Sequence, residues 1–320
     1  LFNCHKKMIV LKNSLHYLAC LLGLLFHGFA HAYTGITIVM SAATPTNLEF
    51  VDHFRQELIN EKQLNLKVKV INLEEVEKLV VAENSELVIA VGVKALGLAS
   101  KLSFTTPVLG VFTPLPAYTN LLASSGRTLG SFSAIVLDQP NARRLLLIKT
   151  ILPEAKSVGV LMGPTSMQEA DNLKEVAEKI DVVINQENVY QESELIPKLS
   201  AILESSDALL ALPDPFIYSR ETAQSILLTS YRYQKPVFGY SQPYVRAGAL
   251  AGVYSNTKQL AKQAAEIAIK SQQEIGGLPP PQAPKYFSVM INRQVGRSLK
   301  IQLTDEESIH KKMVEAEAKR

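Results

Sequence analysis

One feature limits the folds open to this chain more than any other: short apolar runs alternate with longer helical stretches, and the series is completed once and then begun again. The runs at 36–41, 66–71, 87–92, 108–112 and 129–135 are rich in Val, Ile and Leu and nearly continuous, as strands buried on both faces are. Helical periodicity fills the intervals at 47–60, 73–82, 94–100 and 116–123. The second series has strands at 158–162, 182–189, 208–212, 237–240 and 250–254, with helices at 141–151, 167–180, 192–204 and 219–234. Alternation of this kind predicts parallel sheets with helices on both faces.

The two series echo each other. Ile38-Val39-Met40-Ser41 is matched by Val160-Leu161-Met162-Gly163, and Pro107-Val108-Leu109-Gly110-Val111 by Pro236-Val237-Phe238-Gly239-Tyr240, in the same order. A chain of 320 residues is long enough for two domains. The expected fold class is therefore α/β, with two doubly wound parallel-sheet lobes joined by a hinge. In open α/β sheets ligands bind beyond the carboxyl ends of the strands, so two such lobes facing each other place a cleft between them.

The C-terminal part departs from the alternation. A long helix is predicted over 256–275, its apolar residues Leu260, Ala264, Ile267 and Ala268 recurring at helical spacing, with Asn256 or Ser255 as its cap. A Pro- and Gly-rich linker at 276–284, a strand at 287–291 and a charged helix from about 304 complete the chain. Hinge crossings are expected near 135–140, 248–256 and 284–287. The first lobe is assigned 33–137 with 256–286, the second 138–255 with 287–320.

Residues 1–32 read differently: Lys6, Lys7 and Lys12 precede a mostly apolar stretch from Leu15 to Ala30, and Ala30-His31-Ala32 has the small-x-small form that signal peptidase accepts. This predicts a cleaved secretory leader, with Met8 as an alternative start, and a periplasmic location. The apolar run is short for a membrane span and carries His16 and His27. A lipoprotein site at Leu18-Ala19-Cys20 is disfavoured by the polar Lys12, Asn13, His16 and Tyr17 before it.

Removing the leader removes both cysteines, and with them any disulfide or thiolate chemistry, and leaves His53 and His310 of the six histidines. Three of the 33 Lys and Arg leave and none of the 30 acids, so 30 of each remain. A balanced chain without a basic stripe is not expected to bind nucleic acid. Gly239-Tyr240-Ser241-Gln242-Pro243 begins like a nucleophile elbow but lacks the closing Gly, and no phosphate loop, zinc helix or dinucleotide fingerprint is present. No catalysis, cofactor or metal is expected.

Several segments carry a family resemblance. They are Leu209-Leu210-Ala211-Leu212-Pro213-Asp214-Pro215, Leu227-Leu228-Thr229-Ser230-Tyr231-Arg232-Tyr233, Lys235-Pro236-Val237-Phe238-Gly239-Tyr240, Val245-Arg246-Ala247-Gly248-Ala249-Leu250-Ala251 and Phe287-Ser288-Val289-Met290-Ile291-Asn292-Arg293. In these the chain resembles the ABC transporter substrate-binding proteins of the tryptophan- and tyrosine-receptor group, and the likeness runs from about 145 to 303. The resemblance implies a type I periplasmic-binding fold and a monomeric receptor for a small ligand, an amino acid or related carboxylate, that delivers it to an ABC permease in the inner membrane. A sensory protein docking on a membrane kinase would share the same fold. The family's Gly-Thr pair after the third strand and Thr-Asp-Pro after the fourth are replaced by Gly92-Val93 and Thr113-Pro114.

In such a fold, loops after the strands turn backbone N–H groups and helix N-termini toward the cleft, which suits an anion. The expected ligand-binding residues are Ser41, Ala42, Thr44, Gly92, Phe112, Thr113 and Ser133 in the first lobe. In the second they are Pro164, Thr165, Ser166, Asp214, Tyr240 and Ser241. Each hydroxyl here has a second reading as a helix cap, and Asp214, between two prolines, is either a ligand acceptor or a cap.

Overall fold

A computed structural model describes residues 35–63, 66–73, 85–273 and 277–319. The predicted helix at 73–82 lies outside these apart from Leu73. Among the described residues the first series forms a five-stranded sheet from β1 (Gly35–Met40), β2 (Lys67–Asn72), β3 (Leu87–Val91), β4 (Val108–Thr113) and β5 (Phe132–Val136), ordered β2-β1-β3-β4-β5. All its pairings are parallel. The second contains β6 (Ser157–Met162), β7 (Val183–Asn188), β8 (Ala208–Leu210), β9 (Val237–Gly239), β10 (Ala251–Tyr254) and β11 (Ser288–Ile291), ordered β11-β10-β9-β8-β6-β7.

Both sheets thus share one doubly wound order, 2-1-3-4-5, and the sequence echo falls on equivalent strands. Ile38–Met40 and Val160–Met162 lie in the first strand of each series, Val108–Val111 and Val237–Gly239 in the fourth. The strands β1, β3 and β5 are buried along nearly their whole length, which explains their unbroken apolar runs. The edge strand β2 alternates instead, with Lys67 exposed and Ile71 buried. The one antiparallel pairing in the second sheet is β10 with β11, which returns from the C-terminal part of the chain.

The helices between strands are α1 (Pro45–Asn60), α2 (Val93–Ala99), α3 (Leu115–Ser125), α4 (Asn141–Ile151), α5 (Ala170–Glu178), α6 (Leu195–Glu204) and α7 (Arg220–Arg232). Two six-residue helices, α8 (Gln242–Ala247) and α10 (Arg293–Ser298), have no counterpart in the sequence reading. Each starts within a few residues of a strand end and is capped, by Ser241 and Asn292 respectively. Six residues are too few for periodicity to register. The predicted strand from 129 begins only at Phe132, because Gly130 adopts a left-handed backbone and turns the chain.

Two helices pack away from the sheet that precedes them. The long helix α9 (Thr257–Gln273) follows β10 but packs against α1 of the first series, burying Leu260, Ala261, Ala264, Ala265 and Ala268. Its start is a reciprocal cap, in which Asn256 Oδ1 accepts from Gln259 N and Gln259 Oε1 accepts from Asn256 N, both at 2.9 Å. Helix α4 follows β5 but packs against α5 and the C-terminal α11 (Glu306–Glu317). The predicted linker docks on the open edge of β5: Val136 N donates to Gln282 O and Gln282 N to Ala134 O, each at 2.9 Å. Among the described residues the chain therefore passes between the sheets three times, near 137–140, 255–256 and 283–287.

Candidate functional site

The carboxyl ends of the strands point their loops toward the crossing segments, and a cavity of about 350 Å³ lies there. The first series contributes Pro114, just after β4, and the crossing residues Leu137, Asp138 and Gln139. The second contributes Pro213 after β8, Tyr240 to Pro243 after β9, Val253 to Ser255 at the end of β10, and Arg144 from α4. A second cavity of about 370 Å³ lies against Asp138 and Gln139 as well and is walled by Leu115, Gln168, Glu169 and Asn172, among others. The first crossing segment therefore has a face in each.

Two charged side chains meet the first cavity. Asp138 is half-buried, and its Oδ2 accepts from Leu115 N at the start of α3 at 2.6 Å. Its second oxygen has no protein partner among the described residues. Arg144 is buried, and its Nη1 donates to Asn141 Oδ1 at 2.9 Å and Glu169 Oε2 at 2.6 Å. Its Nε and Nη2 are likewise without a protein partner among the described residues. The cavity thus presents one hydrogen-bond-accepting anion and one partly engaged cation on a mainly apolar wall that includes Tyr240, Tyr254 and three prolines.

Behind Tyr240 stands an aromatic cluster. Its ring stacks on Tyr244 at 5.5 Å, and Tyr218 meets both, at 6.2 Å from Tyr240 and 5.7 Å from Tyr244. Burial raises the phenol pKa of all three, and the Asp214 carboxylate raises that of Tyr240 further, so these rings stay protonated. The Tyr240 hydroxyl donates to Tyr218 O at 3.4 Å, which holds the ring at the cavity wall.

Of the residues expected from sequence, Tyr240 and Ser241 line the cavity. Ser241 also caps α8, accepting from Tyr244 N at 3.4 Å. On the two helix-start loops the hydroxyls of Ser41, Thr44 and Ser166 are engaged within the protein. Ser41 Oγ accepts from Ala95 N at 2.9 Å, and Thr44 Oγ1 from Asn47 N at 3.3 Å. Ala42 O accepts from Asn47 Nδ2 at 2.8 Å. Gly92 begins α2 at φ 92°, packed so closely that a Cβ there would stand 2.6 Å from Ser41 Oγ.

The loop at 163–166 was expected to offer N–H groups to a ligand anion, and it holds Asp214 instead. Thr165 N and Ser166 N donate to Asp214 Oδ2 at 3.0 and 2.9 Å, and Ser166 Oγ donates to it at 2.8 Å. Phe216 N donates to Oδ1 at 3.0 Å, and the whole side chain is 1% exposed. These bonds hold the Asp214 side chain within its own lobe, and the helix that follows it, α7, is capped by Ser219 rather than by Asp214. Pro164 is exposed on the same loop.

Phe112 adopts a positive φ of 53° where β4 shifts register against β5, with its ring edge-on to Phe50 at 5.6 Å. Thr113 is fully buried and donates to Val111 O at 3.3 Å. Ser133 is enclosed in β5, its hydroxyl without a partner among the described residues. Sequence reading missed Pro114, Asp138, Gln139, Arg144, Pro213, Gln242, Tyr254 and Ser255. The available signal was Asp138-Gln139-Pro140, a carboxylate at a strand end that proline keeps out of a helix. Among the described residues no group of three or more His, Cys, Asp or Glu could hold a metal ion, and no helix is long and apolar enough to cross a membrane.

Comparison with known proteins bears on this geometry. Residues 60–315 match the family model described as ABC transporter substrate binding protein. No curated protein sequence matches the chain. Among solved structures it is similar to the ligand-free, open form of CD0873, a substrate binding protein with adhesive properties from Clostridium difficile. That likeness has 19% identity and a TM-score of 0.68, over 86% of this chain and 97% of that one. It is similar too to the ABC domain in complex with L-Trp from Streptococcus pneumonia, at 18% identity and a TM-score of 0.56, over 87% and 97%. A periplasmic ribose ABC transporter from Conexibacter woesei aligns at 14% identity and a TM-score of 0.51, over 85% and 96%. At these identities the likeness establishes the fold, two parallel-sheet lobes of the type I periplasmic-binding kind.

Proposed function

Because the chain belongs to the ABC transporter substrate binding protein family, we propose that it is the exported receptor of an ABC-type importer, holding a small solute in the interlobe cavity and presenting it to a membrane permease. The observation that carries this reading is the cavity itself, built jointly from strand ends of both sheets and from two of the three crossing segments. A ligand touching both lobes gains its full set of contacts only when they approach, so binding shifts the population toward a closed form in proportion to its differential affinity. Closure is then the signal a permease reads. The protein acts as a monomer in the periplasm, without cofactor or chemistry on the ligand.

The ligand class follows from the cavity's charges. Asp138 suits an ammonium and Arg144 a carboxylate, and each has unfilled hydrogen-bonding capacity. Tyr240 offers a ring face beside them. A zwitterionic amino acid or a related carboxylate with an apolar side chain fits this set. With the Thr165 and Ser166 amides held by Asp214, the anion contact falls to the Arg144 side chain.

A thermal-shift screen of the chain from Tyr33 onward tests the reading. Amino acids, aromatic acids, nucleosides, short peptides and small anions are compared. A ligand at about 100 times its dissociation constant stabilises the folded state by roughly 2.7 kcal/mol. An amino acid is expected to outperform its decarboxylated amine and its deaminated acid by about tenfold each in affinity, the cost of leaving one charged partner unpaired. Equal binding of all three removes the zwitterion assignment, and a flat screen on folded protein removes the receptor reading.

A further inference from the structure

Side chains tie all three crossing segments together at one point. Gln139 Nε2, in the first, donates to Ser255 Oγ in the second at 2.9 Å, and Ser255 Oγ donates to Tyr286 O in the third at 2.5 Å. Arg143 completes the node from the first turn of α4. Its Nη1 donates to Gln139 Oε1 and to Pro284 O, both at 2.8 Å. Its Nε and Nη2 grip the Glu317 carboxylate near the end of α11 at 2.7 and 3.0 Å. The guanidinium plane lies over the Phe287 ring, 4.1 Å from its centroid.

Arg143 is buried, so its charge has to be matched, and the two-pronged contact with Glu317 does that. A planar guanidinium is the only side chain that serves four acceptors in these directions at once. Gln139 and Ser255 also line the cavity, so the node links the ligand wall to the C-terminal helix.

We propose that the Arg143–Glu317 pair is a hinge clamp: it couples the three crossing segments into one moving unit and positions Gln139 and Ser255 at the cavity. The C-terminal helix is thereby a working part of the binding device. Because the guanidinium holds the first and third segments and Gln139 links the second to them through Ser255, bending one segment strains the bonds that hold the others, which makes opening and closing a concerted event. The consequence for affinity rests on the cavity being the ligand site, whereas the coupling itself is read without ligand.

Hydrogen exchange followed by mass spectrometry on the full-length chain, without ligand, tests this with Arg143→Lys and Glu317→Gln. Both variants keep a hydrogen-bonding group in place. Amides at 254–256 and 285–287, which neither substitution adjoins in sequence, are expected to exchange about tenfold faster or more. The midpoint of global unfolding, measured alongside, serves to separate local from global opening. Acceleration confined to α4 and α11 reduces the pair to a docking contact for the helix and overturns the clamp, as does an even acceleration over the whole chain. Failure of the ligand-site reading shows up separately, in the thermal-shift screen.

Discussion

Asp214 shows how a residue with a ligand-binding profile comes to be used inside the protein. It follows the apolar run of β8 past its carboxyl end, where a cleft carboxylate sits, yet four donors from its own lobe converge on it and Gly163 leaves no side chain in the way; a Cβ there would stand 2.7 Å from its Oδ2. Asp214→Asn turns an amide NH₂ or a neutral oxygen toward N–H groups that need an anion. It is expected to cost about 2–4 kcal/mol in urea denaturation, from lost charge-assisted bonds and repelled donors. Gly92→Ala tests the other tight loop. At φ 92° and with Ser41 Oγ in the way, it should cost roughly 1–3 kcal/mol and loosen the start of α2. The identity of both residues was legible in the sequence. Whether Asp214 turned inward or outward was not, because that depends on where the loop at 163–166, some fifty positions earlier, comes to rest.

Among the elements, the longest apolar runs were the most legible. Strands β1, β3 and β4 and helices α1, α4 and α7 lie within a few residues of their predicted bounds, since burial on both faces or a sustained apolar stripe leaves a pattern that survives without neighbours. The short α8 and α10 left none. Strand starts are fastened by specific polar contacts as well. Asp207, just before β8, accepts from Lys156 N at 2.8 Å, and from Ser157 N at 2.9 Å and Ser157 Oγ at 3.0 Å, at the start of β6. Desolvation pushes its pKa up, but these three bonds and the charge of Lys235 outweigh it, and the carboxyl lies below its ordinary 3.8. A depressed carboxyl pKa contributes stability that is complete above the unfolded-state value and lost as pH falls through the folded-state one. The wild-type advantage over Asp207→Asn, read from denaturant midpoints, should therefore be constant above about pH 5 and shrink below about pH 4. An advantage that is the same at pH 3 and pH 6 would count against the assignment.

For the whole molecule the expectation is motion. If closure is the signal, saturating ligand should reduce the radius of gyration in small-angle scattering by about 0.5–1 Å, as rigid lobes swing about three crossing segments. Binding with an unchanged radius would leave a receptor without a closure step. By itself the sequence determined the α/β class, the doubling of one doubly wound lobe and the family, because each rests on local periodicity or on contiguous motifs such as Leu209–Pro215 and Lys235–Tyr240. Only the tertiary structure brought the candidate site together. Asp138, Gln139, Arg144 and Ser255 come from one crossing segment, the helix that follows it and a second crossing more than a hundred positions away. Their meeting depends on how two sheets are set against each other, a relation between distant parts of the chain that leaves no trace in the spacing of residues along it.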